Sequence, residues 1–256
     1  MKASVLIANY NGEKYIEDCI NSLLNQTYKN FEIIFFDDNS KDRSLEIIKK
    51  FENINIIENK LHSTNGSYNQ MNAYQKAFEK SSGEIILTLD SDDYYHPKKI
   101  EIVVERLKNN YEIFFDLPIL VEGSKKTYIK KRTRYFGLNF FPFITQQSCL
   151  SAKREIFEDL LNKVNFKSFP DVWFDFRAGI YSKYKFSNVV IINDNLTFYR
   201  PTQTGISSKF KHLSRSWWKR RLEYHEYVKR YLKENNYSYN FNFDLLITKI
   251  VNKVAK

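Results

Sequence analysis

The chain carries two cysteines, seven glycines and five prolines among 256 residues, and each scarcity removes a class of protein. Cys19 and Cys149 are too far apart for a metal-ligand or dithiol spacing, which points to a reducing compartment. Glycine is too sparse for a phosphate cradle: neither the G-x-G-x-x-G nor the G-x-x-x-x-G-K-[ST] fingerprint occurs. No apolar run approaches the ~20 residues of a membrane span. The start, "MKASVLIANYNG", has one lysine and a six-residue apolar run, short of what a secretory leader needs. The expectation is a cytoplasmic protein.

What is present is globular: 43% hydrophobic and 27% charged residues, with abundant aromatics. The net charge of +10 is uneven. Residues 209–233 hold nine Lys or Arg against two Glu, and residues 124–134 hold six against none. Such clusters suit anionic partners, or they are solvated faces.

Over the first 110 residues, strand and helix patterns alternate. Apolar runs at 3–8, 31–36, 54–57 and 84–89 read as buried strands. Between them, Ile16, Cys19, Ile20, Leu23 and Leu24 share one helical face, and Leu45, Ile48 and Phe51 another, with Asn39 or Ser40 as its cap. Tyr68, Met71, Tyr74 and Phe78 align on a third helix, and Ile100, Val103, Val104 and Leu107 on a fourth, with Pro97 in its first turn. This predicts an α/β fold with a mostly parallel sheet flanked by helices. Beyond 110 the pattern predicts a hairpin around Gly123 and Ser124, helices over 152–164 and 171–184, a strand over 188–194, and a basic aromatic helix from 209. The expected division is a catalytic domain over 1–208, split into halves at 110, and a helical extension over 209–256.

Ligands of open parallel sheets bind beyond the carboxyl ends of the strands. Three polar clusters fall there: "ANYNGE", "DDNS" and "DSDD". The last places Asp90, Asp92 and Asp93 at one strand tip in a basic chain. Adjacent carboxylates stay ionised together only with a cation or hydrogen-bond donors at hand. A Mg²⁺ or Mn²⁺ shared with a diphosphate is the natural partner; capping of the next helix is the alternative for Asp93.

"SVLIANYNGEKYIEDCINSLLNQTYKNFEIIFFDDNSKDRS" with "SSGEIILTLDSDD" resembles the nucleotide-sugar-binding half of glycosyltransferase family 2, over roughly residues 3–100. The resemblance implies the GT-A fold and inverting transfer from a nucleotide sugar, most simply a UDP-sugar. It places Ala8, Tyr10 and Glu13 by the uridine and ribose, and Asp38 on the uracil ring. Asp90 is implied toward the ribose and Asp92 toward a Mn²⁺ or Mg²⁺ ion on the diphosphate, with Ser91 between them. Gln75 stands where the family often has a donor-contacting Asn. In "PDVWFDFR", Asp171 matches the Asp of the family's "ED" pair, the base that deprotonates the acceptor hydroxyl; Asp175 is the reserve. Arg200 matches a family Arg, but Thr202 stands where a metal- or phosphate-holding His follows it. Arg200 or Lys209 then carries more of the diphosphate charge.

The implied acceptor is a glycan or lipid-linked hydroxyl in bacterial-type surface polysaccharide or lipo-oligosaccharide assembly. Rival readings are a degenerate glycan- or lipid-binding domain and, less well matched for want of a Gly-rich basic loop, a sugar nucleotidyltransferase. The helix from 209 can lie on an anionic membrane as a peripheral contact or pack on the domain. No zinc-ligand set or RNA-stacking motif accompanies it, so no nucleic acid beyond the nucleotide is expected.

Overall fold

The computed structural model describes residues 1–131, 141–164, 168–202, 211–239 and 243–254. Four strands, β1 (Ala3–Asn9), β2 (Phe31–Asp37), β3 (Ile54–Glu58) and β4 (Ile85–Asp90), pair in parallel in the order β3-β2-β1-β4. Antiparallel β8 (Leu150–Lys153) joins β4 to β6 (Ile113–Glu122), which pairs in parallel with β9 (Ile191–Tyr199). The short β5 (Tyr94–Tyr95) edges β9, and β7 (Lys125–Tyr128) closes the expected hairpin on β6. Its two-residue turn holds Gly123 at φ +61°, a left-handed backbone that glycine adopts without a steric cost.

Alternation along the strands decides the layers, because successive side chains point to opposite faces. Val5, Ile7, Ile33, Phe35, Leu87 and Leu89 face one core. That core is covered by α1 (Ile16–Leu24), α2 (Ser44–Ile48) and α4 (Lys99–Asn109). Leu6, Ile34, Phe36 and Ile86 face the other. There α3 (Gly66–Glu79), α5 (Arg154–Lys163), α6 (Phe174–Lys185) and α7 (Arg215–Glu234) pack. The buried Ile16, Cys19, Ile20 and Leu23 fasten α1; each such apolar side chain contributes about 1.5–3 kcal/mol. Between β6 and α4, Lys99 and Asp116 form a fully buried ion pair at 2.6 Å, with Lys99 also donating to the Ser148 carbonyl and Thr197.

Several local expectations shift. Asn39 sits at φ +63° and Ser40 bonds Asp37, so neither caps α2; Asp42 accepts the Ser44 N–H at 3.0 Å instead. Pro97 lies just before α4, whose first residue is Lys99. Helix α6 opens at Phe174, leaving Asp171 in the preceding turn. The basic helix begins at Arg215, and its apolar face is used: Tyr227, Val228, Tyr231 and Leu232 belong to the same core as α6. A final helix, α8 (Phe243–Val254), runs back across it. Among the described residues, no helix is long and apolar enough to cross a membrane.

Candidate active site

The carboxyl ends of β1, β2 and β4 open on one cleft of about 1230 Å³, counting its mouth. The sequence dictates its floor. After β1 the chain turns through Asn11 at φ +52° and Gly12, whose missing Cβ would sit 2.2 Å from Asn9 Oδ1 and 2.8 Å from Ser91 Oγ. Any side chain at position 12 would push the first loop off the acidic tip of β4.

At one end lies Asp38. Its carboxylate accepts from Asn59 Nδ2 at 2.6 Å and pairs with His62 Nδ1 at 2.6 Å, and His62 stacks on Tyr10 with ring centroids 3.9 Å apart. Burial raises the Asp38 carboxyl above the ordinary range, opposed by those two partners. Its neighbour Asp37 turns inward and binds Asn9 and Ser40.

At the centre are the three acids of β4 and its loop, with one oxygen from each of Asp90, Asp92 and Asp93 lying within 4.8 Å of the others. Asp93 is spent on structure: Ser148 Oγ donates to one oxygen at 2.6 Å and the Arg200 N–H to the other at 2.9 Å. Asp90 accepts from Gln70 Nε2 on both oxygens, at 2.8 and 2.9 Å, and from the Tyr74 hydroxyl at 2.7 Å. Asp92 accepts from Thr202 Oγ1 at 3.3 Å. Burial, followed by the like charge of Asp92, lifts the Asp90 carboxyl to about 7 even against its donors. Asp92 is raised by burial against the pull of Arg200, and Asp93 is pushed well up by burial and both neighbouring acids. Hard carboxylate oxygens crowded at the centre of a cleft suit Mg²⁺ or Mn²⁺, and Asp92 is the least engaged of the three.

Arg200 closes this side. Its guanidinium stacks over Tyr15 and Tyr94 at 4.8 and 4.9 Å, donates to the Asp92 carbonyl and pairs with Asp18 at 2.8 Å. At the far end Trp173 and Asp175, from the start of α6, form the wall shared with a second, shallow cleft of about 670 Å³, again counting its mouth. That cleft is lined by Phe141, Trp217, Arg220, Arg221 and Tyr224 among others. Desolvation beside this aromatic wall raises the Asp175 carboxyl to about 6, although the Phe176 N–H and the Arg220 charge favour its ionised form.

Of the residues singled out in the sequence, Ala8, Tyr10, Asp38, Asp90, Ser91, Asp92 and Arg200 line the main cleft. Glu13 does not; it turns to Arg43, accepting its backbone N–H at 3.0 Å. Gln75 is also away from the lining, and Gln70, one turn earlier on α3, occupies the acidic tip instead. Asp171 lies outside the lining too, accepting from Asn65 Nδ2 at 3.3 Å, whereas Asp175 is in it. Lys209 falls outside the described residues. Sequence reasoning passed over Gln70 and Trp173. A signal for the first was available: Gln70 and Tyr74 are four apart, hence on one helical face, and both reach Asp90.

Residues 4–185 match the family model "Glycosyl transferase family 2". The chain belongs to glycosyltransferase family 2. It is 32% identical to WfgD of Escherichia coli, a UDP-Glc:alpha-D-GlcNAc-diphosphoundecaprenol beta-1,3-glucosyltransferase, over 84% of this chain and 83% of that one. An uncharacterized glycosyltransferase of Nostoc sp. is 29% identical over 78% of this chain and 65% of its own length. This family 2 chain thus spans less than two thirds of some relatives it matches. Its fold is shared with TarS of Staphylococcus aureus in complex with UDP-GlcNAc, at a TM-score of 0.65 and 18% identity, covering 98% of this chain and 70% of that one. It is shared too with the mannosyltransferase PcManGT of Pyrobaculum calidifontis, in complex with GDP-Man and Mn²⁺. There the TM-score is 0.59 at 13% identity, over 99% of this chain and 70% of that one.

Proposed function

We propose that this family 2 chain is a metal-dependent, inverting glycosyltransferase. It moves a sugar from a UDP-sugar to a hydroxyl of a glycan or lipid-linked acceptor in surface polysaccharide or lipo-oligosaccharide synthesis. The observation that carries this reading is one continuous cleft. An end at Asp38 beside the Tyr10 and His62 rings, an acidic centre at Asp90 and Asp92, and a carboxyl with a raised pKa at Asp175 all line it.

In this reading the base lies by Asp38 and Tyr10, and Asp90 accepts from the ribose. Asp92, with Asp90 beside it, would hold the Mn²⁺ or Mg²⁺, which when bound would supply Lewis-acid stabilisation of the leaving diphosphate. Arg200, fixed by Asp93 and two tyrosine rings, presents positive charge on the same side. Asp175, rather than Asp171, takes the proton of the acceptor hydroxyl. The oxygen attacks the anomeric carbon as the bond from that carbon to the diphosphate breaks, so the configuration inverts. A pKa of about 6 leaves Asp175 mostly ionised near neutrality and more basic than an ordinary carboxylate, which suits it to such transfer, worth roughly 10²–10⁴-fold in rate. The second cleft, walled by Trp173, Trp217 and Tyr224, opens on Asp175 and is suited to an acceptor sugar.

The test is a panel of nucleotide sugars with Mn²⁺ or Mg²⁺, read as melting-temperature shift and slow nucleotide release. One donor should give both with a divalent ion present, and Asp92→Ala should lose both. A panel with no stabilising nucleotide sugar refutes the reading, and so does a cation-independent response that survives Asp92→Ala.

A further inference from the structure

An amphipathic helix on a globular protein turns its apolar stripe inward, but the two buried residues of α8 are polar and four of its seven apolar residues are exposed. Asp244 and Thr248 are buried. Asp244 pairs with Arg221 at 2.6 Å and with His225 at 3.2 Å, and Asn252 Nδ2 donates to the Trp218 carbonyl at 2.9 Å. Phe243, Leu246, Ile250 and Val254, spaced to share one face, are 59, 43, 53 and 80% exposed. A contiguous apolar stripe on a surface marks an interaction site.

We infer that this stripe is a docking surface for an anionic lipid bilayer, independently of the catalytic reading. Charge selects the occupant. The one acid of α8 is the buried, paired Asp244; Lys249 and Lys253 are exposed and fall between the stripe and the buried face. Because Asn252 meets Trp218, the carboxyl-terminal half of α8 lies beside the start of α7. There Lys211, Arg215 and Lys219 are exposed, and residues 211–222 contain no acid. An apolar strip with a cationic border matches acyl chains beneath anionic headgroups. A second copy of the same face would set lysine against lysine. At twelve residues the helix is about 18 Å long, enough to lie in the interface and too short to span it. The apolar contribution therefore comes from α8, because α7 has spent its apolar face on the core.

Flotation of the full chain with phosphatidylcholine vesicles, with and without phosphatidylglycerol, tests this. Binding is expected to the anionic vesicles at low salt, weakening as salt rises, with little to the neutral ones. Leu246→Gln/Ile250→Gln should lower the partition coefficient about tenfold or more, and Lys249→Ser/Lys253→Ser several-fold at low salt. Both variants alter exposed side chains and should keep the wild-type melting temperature and rate of nucleotide release. Absence of flotation with anionic vesicles overturns the inference, as does wild-type flotation by the Gln variant. A wild-type dimer split by the Gln variant in sedimentation velocity would assign the stripe to a second copy and overturn it equally.

Discussion

Replacing Asp175 with Asn tests the proposed chemistry most directly. The amide keeps the shape of the carboxyl and still offers an oxygen to the Phe176 N–H, which Asp175 accepts at 2.5 Å. The start of α6 and the cleft wall should therefore survive, and donor affinity by calorimetry should be unchanged. What disappears is the capacity to take a proton. The expected loss is 10²–10⁴-fold in turnover, about 2.7–5.5 kcal/mol of barrier. The pH profile carries the specific signature. Desolvation holds the carboxyl at about 6, so the ionised form required of a base is lost as pH falls through that value. Wild-type turnover should reach its plateau above about pH 7, halve near 6 and fall to about a tenth at 5. The assay is initial-rate nucleotide release with donor and acceptor between pH 5 and 8.5, run in parallel on Asp171→Asn. Asp175→Asn turning over at more than a tenth of the wild-type rate would refute the assignment. So would the full loss in Asp171→Asn instead.

Gln70→Leu removes both amide hydrogen bonds to Asp90 and leaves only the Tyr74 hydroxyl. A hydrogen bond to a charged group contributes about 1.5–3 kcal/mol to folding, so the melting temperature should fall by roughly several degrees, and donor affinity in titration calorimetry should weaken as Asp90 loses the partners that orient it. Lys99→Met leaves Asp116 buried without its cation. Breaking such a pair costs about 3–5 kcal/mol, and calorimetric unfolding should drop by on the order of 10 °C. Lys99→Met/Asp116→Leu, which removes both charges, should recover much of that loss.

Much of the site was legible because its parts are local. A buried parallel strand announces itself by a continuous apolar run, and the residues just past its end must face the ligand edge of the sheet. Asp38, Asp90 and Asp92 could thus be placed without coordinates. Gln75 and Asp171 were placed by an offset within one segment and lie outside the lining; cleft lining depends on how α3 and α6 rotate against neighbours far away in sequence. Tyr74 and Phe78 face the core with Phe174 and Phe157, and that packing turns Gln70 toward Asp90 and Asp175 toward the cleft.

By itself, then, the order of apolar and polar residues determined the alternating strands and helices, the hairpin at Gly123 and the three loops that converge on one edge. Those follow from periodicity and turn chemistry, which act over a few residues. Only the tertiary structure decided which of Asp171 and Asp175 lines the cleft, which of the three adjacent acids is spent on Ser148 and Arg200, and that α8 faces outward. Each of these is set by partners dozens of residues away: the environment of a side chain is fixed by what packs against it, and helical spacing alone does not say which face of a helix will find a partner.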